Sequence, residues 1–403
     1  MARLVCDLPK LEANARVLVR AAGERGIEVF GVTKAVHGEP RAAAAMVKGG
    51  VAGLADSRLL NLERLRRAGY GSDQGKGQGR GEGESRAAGV PLMLLRLPDP
   101  REAEDVVRFA DVSLNSEIET VRALGKAAEA AGGGLIHSII LMIDLGDLRE
   151  GVWPEKAVEV AAAMDDIPGV RLQGIGTNLT CYGGVVPTSE NLGLLARLRR
   201  QIEERLGYPL AVVSGGNSST INLLLTGGVP AGVNQLRLGE SILLGRETVA
   251  REPMSGTYQD VFTLYAPIIE MSEKPSAPIG ITAQDAFGHT RTFVDRGWRR
   301  RVLVAVGRQD TGDGAITPVL PGAMVLGASS DHTIVDLTGS ARPAHGLAVG
   351  DELAFHVNYG ALLALITSPF VEKVWLDEAP ADTSGLGGLV LAGIHSGRTD
   401  QQR

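Results

Sequence analysis

Cysteine, lysine and aromatic side chains are scarce in this sequence, and long apolar runs are missing. Cys6 and Cys181 are the only cysteines among 403 residues, too few for a disulfide framework, so a reducing, cytoplasmic setting is expected. The opening MARLVCDLPK has no apolar stretch of the secretory-signal kind. One long uncharged run, Pro209 to Leu236, is interrupted by SGGNSST and GGVPAG, which disfavours a membrane span. A formal net charge of -6 leaves no basic footprint for nucleic acid. With 44% hydrophobic and 22% charged residues, the chain is neither disordered nor fibrous. At ~100–200 residues per domain the length predicts two or three domains. Small molecules are the expected partners, and no metal is expected. Only 8 of the 41 basic residues are lysine, so a lysine set in an apolar strand stands out. Lys34 is such a residue.

What is present is alternation. Apolar runs at Ile27–Val32, Ala52–Ala55, Leu92–Leu95, Val112–Leu114, Ile136–Ile143, Val170–Ile175, Leu210–Val213 and Gln235–Leu238 read as strands. Helical patterns separate them, among them Ser57–Ala68, Arg101–Phe109, Ile118–Ala130, Glu155–Met164 and Glu190–Leu206, after a first helix over Lys10–Arg25. Eight strands in parallel βαβ units predict an α/β fold, a closed (β/α)8 TIM barrel over residues 1–249. The glycine-rich, polar stretch 69–89 lacks periodicity and the P-loop spacing, and is expected to be a flexible surface insertion. Beyond residue 250 short strands separated by Gly, Pro and Asp predict a C-terminal all-β domain over 250–377. Its expected strands are Val261–Met271, Arg301–Val306, Ala323–Leu326, Thr333–Leu337, Glu352–Val357 and Leu362–Ile366. Residues 1–9 are expected to pair with that domain, and 378–403 to form a loosely ordered tail.

Barrel chemistry sits at the C-terminal strand ends. The first strand ends in Val32-Thr33-Lys34, where an ammonium either snorkels outward or becomes covalently bound, as in a Schiff base to an aldehyde cofactor. Arg149 follows the fifth strand, and Gly176-Thr177-Asn178 with Cys181-Tyr182 follow the sixth. After the seventh, Ser214-Gly215-Gly216-Asn217-Ser218-Ser219 places small residues before a helix, an anion pocket suited to phosphate. The eighth holds Arg237 in Leu236-Arg237-Leu238-Gly239-Glu240. A lysine, an anion pocket and a buried arginine together suggest pyridoxal 5′-phosphate.

In that order these motifs resemble the fold-type III, pyridoxal-phosphate-dependent alanine racemase family, and within it the branch containing ornithine racemases, over Met1 to Asp377. The resemblance implies that Lys34 in VTKA is the Schiff-base lysine and that Arg149 in DLGDLREG approaches the cofactor's phenolic oxygen. It implies that Ser218 in GGNSST, the Gly239 and Glu240 amides and Tyr359 in VNYGALLALIT hold the phosphate. Arg237 would face the pyridine nitrogen, and Ser330 and Asp331 would complete a partner's site in a homodimer with shared active sites.

Three departures stand against the family pattern, the first being Met142 where some relatives hold a modified lysine. Asn178 replaces the histidine stacked on the pyridine ring, and the family's G-Y-A-D-G tyrosine base is absent from Val306-Gly307-Arg308-Gln309-Asp310. The substitutes for that second base are Asp310, Tyr182, Cys181 and His289, with the Cys181–Tyr182 loop favoured over Asp310. Three readings compete: a racemase, a basic amino-acid decarboxylase of the same two-domain fold, and a non-catalytic pyridoxal-phosphate-binding protein. An arginine at the pyridine nitrogen leaves that nitrogen neutral, which suits racemisation over decarboxylation. A C-terminal domain disfavours the third reading, because single-barrel relatives lack it. Asp331 could pair with a distal ammonium or equally orient a neighbour and leave the substrate to be small; the branch resemblance implies ornithine or lysine, with alanine or serine as alternatives.

Overall fold

The computed structural model describes residues 1–72, 89–340 and 346–378. Most of the expected insertion (73–88) and all but the first residue of the expected tail lie outside the described residues. The chain divides into two units, one spanning Asp7–Val261 and the other joining Met1–Cys6 to the chain from Phe262 onward.

In the first unit, eight parallel strands close into a barrel: β2 (Glu28–Val32), β3 (Gly53–Asp56), β4 (Leu92–Leu94), β5 (Val112–Asn115), β6 (His137–Met142), β7 (Val170–Gly176), β8 (Val212–Ser214) and β9 (Gln235–Leu238). Closure comes from β9 pairing back onto β2, with Val29 opposite Leu236 and Phe30 opposite Arg237. Most of these strands are buried on both faces and read as near-continuous apolar runs, although β7 alternates at its start, where Arg171 is exposed. A core cluster includes Phe30, Val32, Ala55, Met93, Leu114, Ile140 and Met142. Helices follow the strands; α1 (Leu8–Gly23) precedes β2, is capped by the Asp7 side chain on Lys10 N–H at 3.0 Å, and buries Leu11, Ala15 and Leu18. The helix expected after the first strand is α2 (Pro40–Lys48), which connects β2 to β3. Residues 250–261 belong to this unit, past the expected boundary at 249. Asn14 donates to the carbonyls of Tyr258 and Ile242, and Thr257 to that of Gly245, tying the segment to the barrel.

The second unit is an antiparallel sheet built on the long strand β10 (Phe262–Pro275). Its path runs β12 (Ile316–Pro318), β15 (Glu352–Val357), β10, β11 (Trp298–Val304), β14 (Thr333–Asp336) and β13 (Met324–Ala328). The opening strand β1 (Ala2–Asp7) pairs with β10 and with β16 (Val371–Leu376). β12 and β16 are not among the expected strands, and one expected strand is a helix. Leu362–Ile366 is not a strand but the end of helix α11 (Tyr359–Leu365), nucleated by the Asn358 side chain accepting from Ala361 N–H at 2.9 Å. Five apolar residues carry no period of their own, and Leu and Ala favour the helix once a cap exists. Arg308 and Asp310 lie in the helical turn α10 (Arg308–Thr311), so they do not share one face as alternate residues of a strand would. Among the described residues no helix is long and apolar enough to cross a membrane.

Candidate active site

The polar residues gather where the barrel strands end. Lys34 opens a 3-10 turn (Lys34–Val36) one residue after β2 and is exposed, while Thr33 before it is fully buried. At the end of β9, Arg237 is 3% exposed. Its guanidinium donates to the Thr177 carbonyl at 2.7 Å and to Ser214 Oγ. Burial lowers its pKa to about 10, so it remains charged at neutral pH. Among the described residues no carboxylate lies within ion-pair distance of it; Glu150 is the largest favourable charge it feels.

Beside Arg237 lies an amide cradle. Ser218 Oγ accepts from Gly239 N–H at 3.3 Å and Ser241 N–H at 3.2 Å, and shares a 2.9 Å hydrogen bond with Ser241 Oγ. Gly239 permits the approach of β2, since a Cβ there would stand 3.1 Å from Val32 Cβ. Ser218 and Glu240 begin their helical turns, and among the described residues their amides meet no acceptor. The side-chain oxygens of Thr177 and Ser219 are likewise buried with no partner. Burial raises the Glu240 pKa, against the pull of Arg251, with which it pairs, and of Lys34. That coupling brings the ends of β2 and β9 into one electrostatic neighbourhood.

Two loops complete this surface. After β6, Arg149 is ion-paired with Glu150, whose Oε1 lies 3.4 Å from Asn178 Nδ2. After β7, Cys181 Sγ accepts from Asn178 Nδ2 at 3.2 Å and from Asn217 Nδ2 at 3.3 Å. Asn217 also donates to Asn178 Oδ1 at 2.8 Å, linking the β7 and β8 ends. Tyr182 is 76% exposed. Sequence reasoning missed the residue that holds these loops together. Asp147 is 1% exposed and accepts from the amides of Thr180, Cys181, Tyr182 and Val185 at 2.9–3.1 Å. Burial would raise its pKa, but the four amides outweigh that and hold it below the ordinary carboxylate range. The available signal was the D-x-x-D spacing of Asp144 and Asp147 just after a strand, where aspartates commonly bind nearby backbone amides. Among the described residues four non-glycines adopt left-handed backbone: His37, Leu148, Thr180 and Arg251. They lie beside Lys34, Arg149 and Cys181 or pair with Glu240, and strained backbone of this kind clusters at functional sites.

Asp147→Asn tests the loop fastening. An amide offers one oxygen where the carboxylate offers two, so two backbone N–H groups lose their acceptor. Calorimetry should show a loss of about 2–4 kcal/mol, several degrees in Tm. The depressed pKa adds stability that is present above the ordinary carboxylate range and is lost as pH falls through the depressed value. The wild-type advantage over Asp147→Asn should therefore vanish only in strong acid.

The remaining candidates lie in the second unit. Asp310 is buried, accepting from Ser368 Oγ at 2.8 Å and from Gly307 N–H at 3.3 Å. Ser330 and Asp331 are exposed and bonded to each other at 2.6 Å, next to the α10 turn through Ser330 O and Gln309 N–H. Tyr359 opens α11. His289 is exposed on the segment between β10 and β11, its amide bonded to Asp285 at 3.0 Å.

Known proteins match this arrangement. The alanine racemase N-terminal domain family matches residues 6–247. A lysine racemase from Thermotoga maritima is 40% identical over 373 residues, 93% of this chain and 98% of that protein. An ornithine racemase from Acetoanaerobium sticklandii is 38% identical, covering 92% of this chain and 98% of that protein. Among solved structures, an alanine racemase from a D-cycloserine-producing Streptomyces lavendulae superimposes with a TM-score of 0.66 at 19% identity, covering 94% of this chain and 97% of that one. A D-threonine aldolase from Filomicrobium marinum gives a TM-score of 0.63 at 16% identity, covering 90% of this chain and 88% of that one. A closed parallel barrel with its polar residues at the strand ends, matched in sequence across nearly its whole length by such proteins, belongs to the alanine racemase family.

Proposed function

We propose that this protein is a pyridoxal-phosphate-dependent racemase interconverting the L and D forms of a basic amino acid, ornithine or lysine. The observation that carries this reading is Arg237, a buried guanidinium with no carboxylate partner among the described residues, beside an amide cradle and the Lys34 turn. The residues fit the cofactor. Among the described residues the amides of Ser218 and Glu240 and the buried hydroxyls of Thr177 and Ser219 lack partners, and a phosphate presents the acceptors such donors need. Lys34 would hold the aldehyde end and Ser218, Gly239 and Glu240 the phosphate. Arg149 would serve the phenolic oxygen, Arg237 the ring nitrogen, and Asn178 the ring face. When bound, the cofactor supplies an electron sink for the pair left on the substrate Cα.

The protein's own groups then move and hold protons. Lys34, once its amine is free, carries the Cα proton on one face. Arg237 keeps its own proton and leaves the ring nitrogen neutral, because a guanidinium with a pKa of about 10 stays charged at neutral pH. That limits the side chemistry a protonated ring promotes and favours racemisation over decarboxylation. The second proton carrier comes from the Cys181–Tyr182 loop. Two carboxamide N–H groups donate to Cys181 Sγ and fix its position at the barrel mouth, whereas the Asp310 carboxylate is already engaged by Ser368 and Gly307. We place the protein in the cytoplasm, where an exposed free Cys181 stays reduced. Exposed Ser330 and Asp331 would complete the site of a partner subunit, with Asp331 meeting the distal ammonium, so light scattering should show a dimer.

Removing the second carrier should separate exchange from inversion. Cys181→Ala or Tyr182→Phe should lower racemisation from one enantiomer by about 10²–10⁴-fold while its Cα–deuterium exchange in D2O persists. If both variants racemise normally from both enantiomers, the carrier lies outside this loop. The function itself is tested by incubating the holoprotein with a panel of L-amino acids, followed by chiral chromatography. D-ornithine or D-lysine should form fastest; release of a diamine and CO2 instead would establish the decarboxylase.

A further inference from the structure

The turn that carries Lys34 is fastened from behind by the segment leaving β3. Thr33 donates its hydroxyl to Asp56 Oδ2 at 2.7 Å, and both residues are fully buried. Asp56 Oδ1 accepts from Asn61 Nδ2 and from Arg58 N–H, each at 3.0 Å. Gly38 closes the turn at a φ of 61° and packs on Asn61 so tightly that a Cβ would stand 2.7 Å from Asn61 Cβ. Arg64 reaches the carbonyl of His37, whose own backbone is left-handed. Asp56, Asn61 and Arg64 thus grip both ends of the stretch from Thr33 to Gly38.

Burying a carboxylate carries a large desolvation penalty, and an apolar side chain would fill the end of β3 without it. What the carboxylate adds is direction: two oxygens with fixed partners, one of them on the residue before Lys34. We infer that Asp56, acting through Thr33, is a positioning residue that aims Lys34 at the cofactor aldehyde. The inference rests on the reading of Lys34 as the cofactor anchor. Positioning of this kind acts on rate, since about 1 Å of misplacement at a reacting atom can cost about 100-fold.

Two ligands separate aim from fold. Pyridoxal 5′-phosphate reacts with Lys34: the amine nitrogen forms a C=N bond to the aldehyde carbon, and the aldehyde oxygen leaves as water. Pyridoxine 5′-phosphate carries an alcohol in place of the aldehyde, so it reports the phosphate cradle alone. Thr33→Val and Asp56→Ala apoproteins should capture pyridoxal 5′-phosphate about 10- to 100-fold more slowly by absorbance. Their affinity for pyridoxine 5′-phosphate should match wild type, and Thr33→Ser should restore the capture rate. Capture at the wild-type rate in both variants would overturn the inference, as would a parallel loss of pyridoxine 5′-phosphate affinity, which marks a purely structural role. If the wild-type apoprotein captures no pyridoxal 5′-phosphate at Lys34, the functional reading itself fails, separately from the role of Asp56.

Discussion

Lys34→Ala should lower kcat/KM for racemisation by about 10⁴-fold or more, in both directions and with every substrate. The substitution removes the covalent anchor and one proton carrier together, so no partial activity from a single surviving role is expected. Neither lysine of the first two helices is placed to substitute. Lys10 lies at the start of α1 and is bound to Asp260 at 2.7 Å, and Lys48 ends α2. Lys34→Arg should be equally inactive, because a guanidinium keeps its proton and is a poor nucleophile. Both proteins should fold, since Lys34 is exposed and the turn is held by Thr33 and Gly38, not by the lysine side chain. Circular dichroism and chiral chromatography together check this; retained racemisation in a folded Lys34→Ala protein would remove the lysine from the mechanism.

Arg237→Glu should lower racemisation by about 10²–10³-fold while decarboxylation or transamination products rise from the same substrate. A carboxylate at the ring nitrogen can accept a hydrogen bond from a protonated ring, which deepens the electron sink and opens those side reactions. The variant should also melt earlier, because the Thr177 carbonyl and Ser214 hydroxyl lose a buried donor. Arg237→Lys keeps a cation but not the fork that reaches both partners, so its product ratio should stay close to wild type at reduced rate. In the wild-type protein the charge on Arg237 should titrate near pH 10, with the charged form below that value and its loss above it. Racemisation should therefore decline on that alkaline side. Unchanged product ratios in Arg237→Glu would place the ring nitrogen elsewhere.

The barrel was legible in the sequence because most of its strands are buried on both faces. β6 reads SIILM over five successive residues, and a helix-periodic segment follows each such run. The strand-end residues were legible for the same reason: Lys34 and Arg237 are charges at or within apolar runs. What escaped was set by contacts between distant segments. Asp147 looks like an ordinary turn aspartate until the loop at 180–185 folds over it, and Asp56 looks like a helix-start residue until Thr33 lies against it. Leu362–Ile366 was misread because a five-residue apolar run fits a strand or a helix, and Asn358 at the cap decided it. The absence of the G-Y-A-D-G motif from Val306–Asp310 was plain in the sequence. Structure adds that Arg308 opens a helical turn and lies over the Phe287 ring at 4.3 Å.

The central claim is that Lys34, at the end of β2, binds the cofactor covalently. Borohydride reduction of the holoprotein, followed by proteolysis and mass mapping, tests it most directly. The pyridoxyl mass should appear on the peptide containing Val32-Thr33-Lys34 and on no other. Label on a different lysine, or a reduced holoprotein with no label at all, would contradict the account.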